Sequence, residues 1–299
     1  MISRWGRYVG VSFPPAVYLP WTFCWAFGLT ALFAVVTGVA GRWRPDAGVL
    51  VSALTLAGMM LLVRAQDDIR DADYDRRVNP GRPLPSGLVA ERDLVVLVAA
   101  GSVLLVLLNA GRGAALLVLA AQIAYTAAVV ALERLAGWPH RDRLGLQFLV
   151  NLPILVLPSL YVYAAFLRGQ DRGAGAAGLA VVAAVAGAAL CLELGRKTTR
   201  RPRPDERSYV SVLGPSATSF TALAAAVAGT AVVLVAIAPW RAGHAWGWLV
   251  LLPLALPALA VARFAGGAAR WPLLPTLTYV PAMYLSFLAV GLLTVGGPA

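Results

Sequence analysis

Polar and apolar positions separate along this chain into long apolar stretches and short charged connections. Nine stretches are long enough to cross a bilayer as helices: 14–39, 47–66, 93–110, 113–132, 145–167, 174–194, 216–238, 246–265 and 273–296. The connections leave no room for a separate soluble domain, so residues 1–299 read as one unit. The expected class is an all-α integral membrane protein of nine transmembrane helices.

Composition agrees. With 60% hydrophobic and 13% charged residues, an ordinary soluble domain is excluded. The net charge of +11 first suggests nucleic acid, but its distribution points to a membrane. With the N-terminus placed in the cytoplasm, 19 of the 25 basic residues fall on the inner side. The outer side receives only Arg42, Arg44, Arg112, Arg168, Arg172 and Arg241. This positive-inside asymmetry predicts a multi-pass cell-membrane protein with its N-terminus inside and C-terminus outside. Scattered loop charges do not make the contiguous basic face that nucleic-acid binding needs.

Arg4 and Arg7 precede an apolar run longer than a signal-peptide core, which reads as an uncleaved first span. Cys24 and Cys191 lie inside expected spans and indicate neither a disulfide framework nor a zinc site. His140 and His244 have no partners at ligand spacing.

Two connections, 67–92 and 195–215, are long and heavily charged, and both fall on the expected inner side. Four spans separate them, a spacing compatible with an internal duplication, although their residues share little beyond position. Five of the chain's 14 acids occupy positions 67–75, directly after the apolar run 53–65. On a helix, Asp67, Asp68, Asp71 and Asp75 point to about 0°, 100°, 40° and 80°, and Asp73 to about 240°. Four carboxylates on one quadrant repel one another unless positive charge lies between them. Acids at a membrane edge are functional by default, and a hard cation such as Mg²⁺, shared with phosphate oxygens, suits this set. In Asn79-Pro-Gly-Arg82-Pro-Leu-Pro-Ser-Gly87 the prolines hold Arg82 in a defined direction, and its fork suits a diphosphate.

Asp68-Ile-Arg-Asp71-x-x-x-Asp75 followed by Arg82-Pro-Leu-Pro-Ser-Gly87 resembles the first motif of the UbiA superfamily of intramembrane prenyltransferases. Span number and the inner placement of both charged loops extend the resemblance over the full chain. Asp67 stands where many members have Asn. At the second motif members commonly carry Asp-x-x-x-Asp, whereas here Glu193 takes the first place and Lys197, the chain's only lysine, the second. A simple i,i+4 ion pair between those two is the plain alternative.

The resemblance implies a helical bundle around a central cavity whose polar mouth is cytoplasmic. It implies metal ligands among Asp67, Asp68, Asp71, Asp75 and Glu193, with Asp205 or Glu206 supplying a missing carboxylate. Asp68, Asp71, Asp75, Arg82 and Lys197 become the expected catalytic groups. Arg82, Arg196 and Lys197 are expected on phosphate, and Tyr125 and Asn151 near the diphosphate and first isoprene unit. Helix–helix hydrogen bonding is an equal alternative for the last two.

The implied function is Mg²⁺-dependent ionisation of an allylic prenyl diphosphate, with transfer of the prenyl group to an acceptor, expected to be aromatic. A UbiA-type terpene cyclase would share the ionisation and use the chain's own alkene. A membrane transporter, from another class, would be expected to carry ionisable residues near mid-bilayer rather than at one interface. A non-catalytic lipid-binding protein has no need of the acidic quadrant.

Overall fold

The computed structural model describes residues 2–139, 143–201, 208–241 and 245–296. The chain opens with a short helix, α1 (Ile2–Ser12), which is not among the nine expected spans. Phe13 and Pro14 separate it from α2 (Pro15–Val36), where a proline at the first helical position costs no hydrogen bond. There follow α3 (Ala47–Arg70), α4 (Ala72–Val78), α5 (Glu91–Leu108), α6 (Ala114–Ala136), α7 (Leu144–Gly169) and α8 (Ala176–Arg196). After the second charged connection come α9 (Val210–Leu213), α10 (Pro215–Ile237), a 3₁₀ segment Ala245–Leu254 running into α11 (Ala255–Ala265), and α12 (Leu273–Gly296).

Among the described residues, eight helices are long and apolar enough to cross a membrane, the 3₁₀ segment and α11 counting as one. The expected span missing from these eight is the third, 93–110, which corresponds to α5 and begins two residues earlier than expected. Its first turn carries Glu91, Arg92 and Asp93, so an 18-residue helix starts with three charges. The eighth expected span also differs from a plain α-helix in its first half. Pro253 has no N–H to give to the preceding turn.

The helices form a ring. α2 packs on α3, α3 on α5 and α6, α6 on α7, α7 on α8, and α8 on α10, and α12 closes the circle against α2. Where lipid replaces water outside, helix association depends on close packing, and small residues permit it. At the α8–α10 crossing, a Cβ on Gly187 would strike the Ala225 carbonyl, and one on Gly229 would lie 2.5 Å from the Ala184 oxygen. Gly28 likewise lets α2 rest on the backbone of α12 at Tyr284. Leu29, Phe33, Leu56, Tyr161, Tyr163, Tyr279, Tyr284 and Phe287 are buried inside the ring. Leu104, Leu107, Leu117, Val235 and Leu252 are exposed around it, apolar surface that suits acyl chains.

α3 outlasts its expected apolar run and carries Asp67 and Asp68 on its own last turn. The helix breaks at Asp71, yet Asp71 N–H still donates to Asp67 O and Asp75 N–H to Asp71 O, both at 2.8 Å. Helical register therefore continues from Asp67 to Asp75 through the break.

Candidate active site

The acidic quadrant divides into two edges. Asp68 and Asp75, about 20° apart on the helical wheel, are almost fully buried on one edge. Asp68 takes Arg64 Nη2 at 2.8 Å on one oxygen and the Tyr8 hydroxyl at 2.8 Å on the other. Asp75 accepts from Arg82 Nη1 at 2.6 Å and from Asn79 Nδ2 at 2.9 Å, and Arg82 also stands 4.0 Å from Asp68. The positive charge that four clustered acids require is thus supplied from within the protein on this edge. Burial, reinforced by the negative charge of Asp68, pushes the Tyr8 phenol well above its ordinary value, so it stays a donor to that carboxylate.

Asp67 and Asp71 form the other edge and remain partly exposed. The Asp67 side chain is 41% exposed and has Arg70 at 3.6 Å. Among the described residues Asp71 has no ion pair. Asp73 lies 79% exposed, away from both edges, and pairs with Arg76 at 2.7 Å.

Across the bundle, the end of α8 presents Glu193 between two cations, Lys197 Nζ at 2.5 Å and Arg196 Nη2 at 2.9 Å. Lys197 also lies over the Tyr209 ring, 5.6 Å from its centre. Burial and the nearby Glu193 charge push the Tyr209 phenol up to about 12. Of the cations at this end, Arg196 exerts a weak Coulombic pull on Asp67, smaller than those of Arg70 and Arg64. The connection after Lys197 is pinned to the turn before α12, through Arg200 N–H to Ala269 O at 3.0 Å and Trp271 N–H to Thr198 O at 3.1 Å. Asp205 and Glu206 lie outside the described residues.

The two polar residues expected near substrate have different surroundings. Tyr125 donates its hydroxyl to Val150 O at 2.8 Å, tying α6 to α7. Asn151 accepts from Arg70 Nη1 at 3.2 Å, and Arg70 Nε lies 3.1 Å from the buried carboxylate of Glu133. Arg70 therefore joins α3, α6 and α7 beside Asp67. Sequence reasoning passed over Glu133, which stands just beyond the expected span 113–132 and is the sole acid of α6; acids at a membrane edge are expected to be paired or functional.

Among the described residues no three His, Cys, Asp or Glu side chains converge as a ready-made metal cage. That is compatible with Mg²⁺, which is usually held by one or two carboxylates and completed by water and phosphate. Asp67 and Asp71 fit this demand, being oxygen donors on the open edge. Asp68 and Asp75 fit it less well, because guanidinium groups already occupy them.

Neither a family model nor a curated protein matches the sequence. Among solved structures, the apo structure of a UbiA homolog from Aeropyrum pernix K1 aligns at a TM-score of 0.61 and 20% identity. The alignment covers 90% of this chain and 96% of that one. The fold is UbiA-like. In this UbiA-like ring the acidic turn ends the second long helix and Glu193 ends the sixth.

Proposed function

We propose that the protein is a Mg²⁺-dependent intramembrane prenyltransferase. The observation that supports this reading is a pair of charged helix ends, those of α3 and α8, on a UbiA-like fold. One offers the open carboxylates Asp67 and Asp71, and the other Glu193 with Arg196 and Lys197.

Asp67 and Asp71, with Glu193 opposite, would hold the cation, whose charge favours departure of diphosphate. Lys197 and Arg196 take phosphate oxygens. Their present pairs with Glu193 are partly exposed and each is worth only about 0.2–0.5 kcal/mol, so a diphosphate displaces them at little cost. Arg82 stays where buried Asp75 directs it and adds a fork on the same side. The C–O bond of the allylic diphosphate breaks with both electrons leaving on oxygen. Electrons of an aromatic acceptor then form the new carbon–carbon bond, and the ring loses a proton to solvent or to the released diphosphate. Apolar walls keep competing water from the allylic cation.

The test is incubation of the full-length protein in detergent with Mg²⁺ and prenyl diphosphates of several lengths, with and without aromatic acceptors. Diphosphate release and a prenylated acceptor mass are expected, both lost in excess chelator. Cyclic hydrocarbon products without acceptor would assign a cyclase instead. A folded protein that releases no diphosphate from any donor overturns the reading.

A further inference from the structure

α3 spans about 36 Å, and at its other end, far from the acids, lies an open cavity of about 380 Å³. Three arginines from three separate parts of the chain line it: Arg44 before α3, Arg112 between α5 and α6, and Arg168 in the last turn of α7. The carboxylate lining it is Asp46, whose Oδ1 already accepts from Val49 N–H at 2.9 Å as the cap of α3. Among the described residues no ion pair joins Asp46 to any of the three.

Among the described residues, the hydrogen-bond acceptors that hold Arg112 are all neutral. Its guanidinium donates to the Tyr161 hydroxyl at 2.7 Å and Gly48 O at 2.9 Å, and to Ser52 Oγ and Asn109 Oδ1, both at 3.3 Å. The Tyr161 hydroxyl donates in turn to Asn109 Oδ1 at 2.6 Å, and Asn109 Nδ2 to Thr55 Oγ1 at 2.9 Å. Tyr161, Asn109 and Thr55 are fully buried, so this polar network is rigid. A staple between helices needs no full charge; a neutral amide would serve. What the network does instead is fix the direction of a cation beside two others.

Three like charges around one concavity repel, and an anion between them relieves that repulsion. Guanidinium forks match the oxygens of phosphate. We propose that this cavity is a second, non-catalytic site that binds a phosphate group. The shared chemistry is a single phosphate ester or ion, carried either by an anionic lipid headgroup at this membrane face or by a soluble molecule. The volume suits a headgroup and leaves acyl chains outside, against the exposed apolar flanks of the ring.

The experiment uses full-length protein in neutral detergent, with phosphatidylglycerol, phosphatidylcholine and inorganic phosphate as separate probes. Thermal unfolding and native mass spectrometry follow binding. Phosphatidylglycerol or inorganic phosphate should raise the unfolding midpoint saturably. The double variant Arg44→Gln/Arg168→Gln changes two exposed side chains and should fold. It should bind on the order of tenfold more weakly or worse, about 1.4 kcal/mol per decade. Arg112→Gln should weaken binding as well, and Arg241→Gln, outside the cavity, should leave it unchanged. A response to phosphatidylglycerol alone assigns a lipid headgroup, and a response to inorganic phosphate assigns a soluble anion. Failure of both probes to bind, or equal binding by wild type and the double variant, overturns the proposal.

Discussion

Asp71 and Asp73 are two residues apart and point in different directions, which makes them a controlled pair. Asp71 lies on the open edge with Asp67, whereas Asp73 is solvated and holds only Arg76. Asp71→Asn should lower diphosphate release on the order of a hundredfold or more, at about 1.4 kcal/mol per decade, with the melting temperature retained. Asp73→Ala should stay within about twofold. Equal losses in the two variants would break the link between helix face and chemistry. Lys197 poses the companion question. As a mere partner of Glu193 it contributes about 0.2–0.5 kcal/mol and Lys197→Ala changes kcat/KM by less than about twofold. As a phosphate contact that strengthens in the transition state, its loss costs on the order of tenfold or more.

Helix packing decides whether those residues face one another. α8 carries Glu193, Arg196 and Lys197, and its position is set largely by the crossing with α10 at Gly187 and Gly229. Gly187→Leu drives a side chain into the Ala225 carbonyl and should lower stability by about 1–3 kcal/mol, read as a drop in melting temperature in detergent. Gly145→Ala in α7 meets open space and should be silent. Equal melting of the two variants would show that the crossing is not tight. α1 shows the other side of the same issue. It has too few residues to span a membrane, yet its Tyr8 satisfies Asp68 and its Trp5 donates to Asp93 O at 2.9 Å. Nothing in local periodicity marks an eleven-residue helix as the partner of an acid 60 positions away.

Over the whole molecule, the acidic end and the three-arginine cavity occupy opposite ends of α3, so sidedness can be read from two points. In a background lacking Cys24 and Cys191, Ser86→Cys should react with a membrane-impermeant thiol reagent only from the cytoplasmic side. Gly169→Cys should react only from outside. Labelling in the reverse sense would invert the orientation that the basic-residue asymmetry predicts.

Sequence alone determined the helical class, the positions of the long helices to within a few residues, and the outward direction of Asp73. Hydropathy and helical period are local properties, and lipid enforces both by forbidding unsatisfied backbone. The same local logic put four aspartates on one quadrant, but it had no means of dividing them. Only the tertiary structure decided that Asp68 and Asp75 are already neutralised and that Asp67 and Asp71 are open. The cations responsible, Arg64 and Arg82, arrive from a helix turn and a loop. Tertiary structure likewise paired Arg70 with Glu133 and gathered Arg44, Arg112 and Arg168 around one cavity. Charge pairing depends on distance in space, and a ring closed by its last helix brings together residues that the chain keeps far apart.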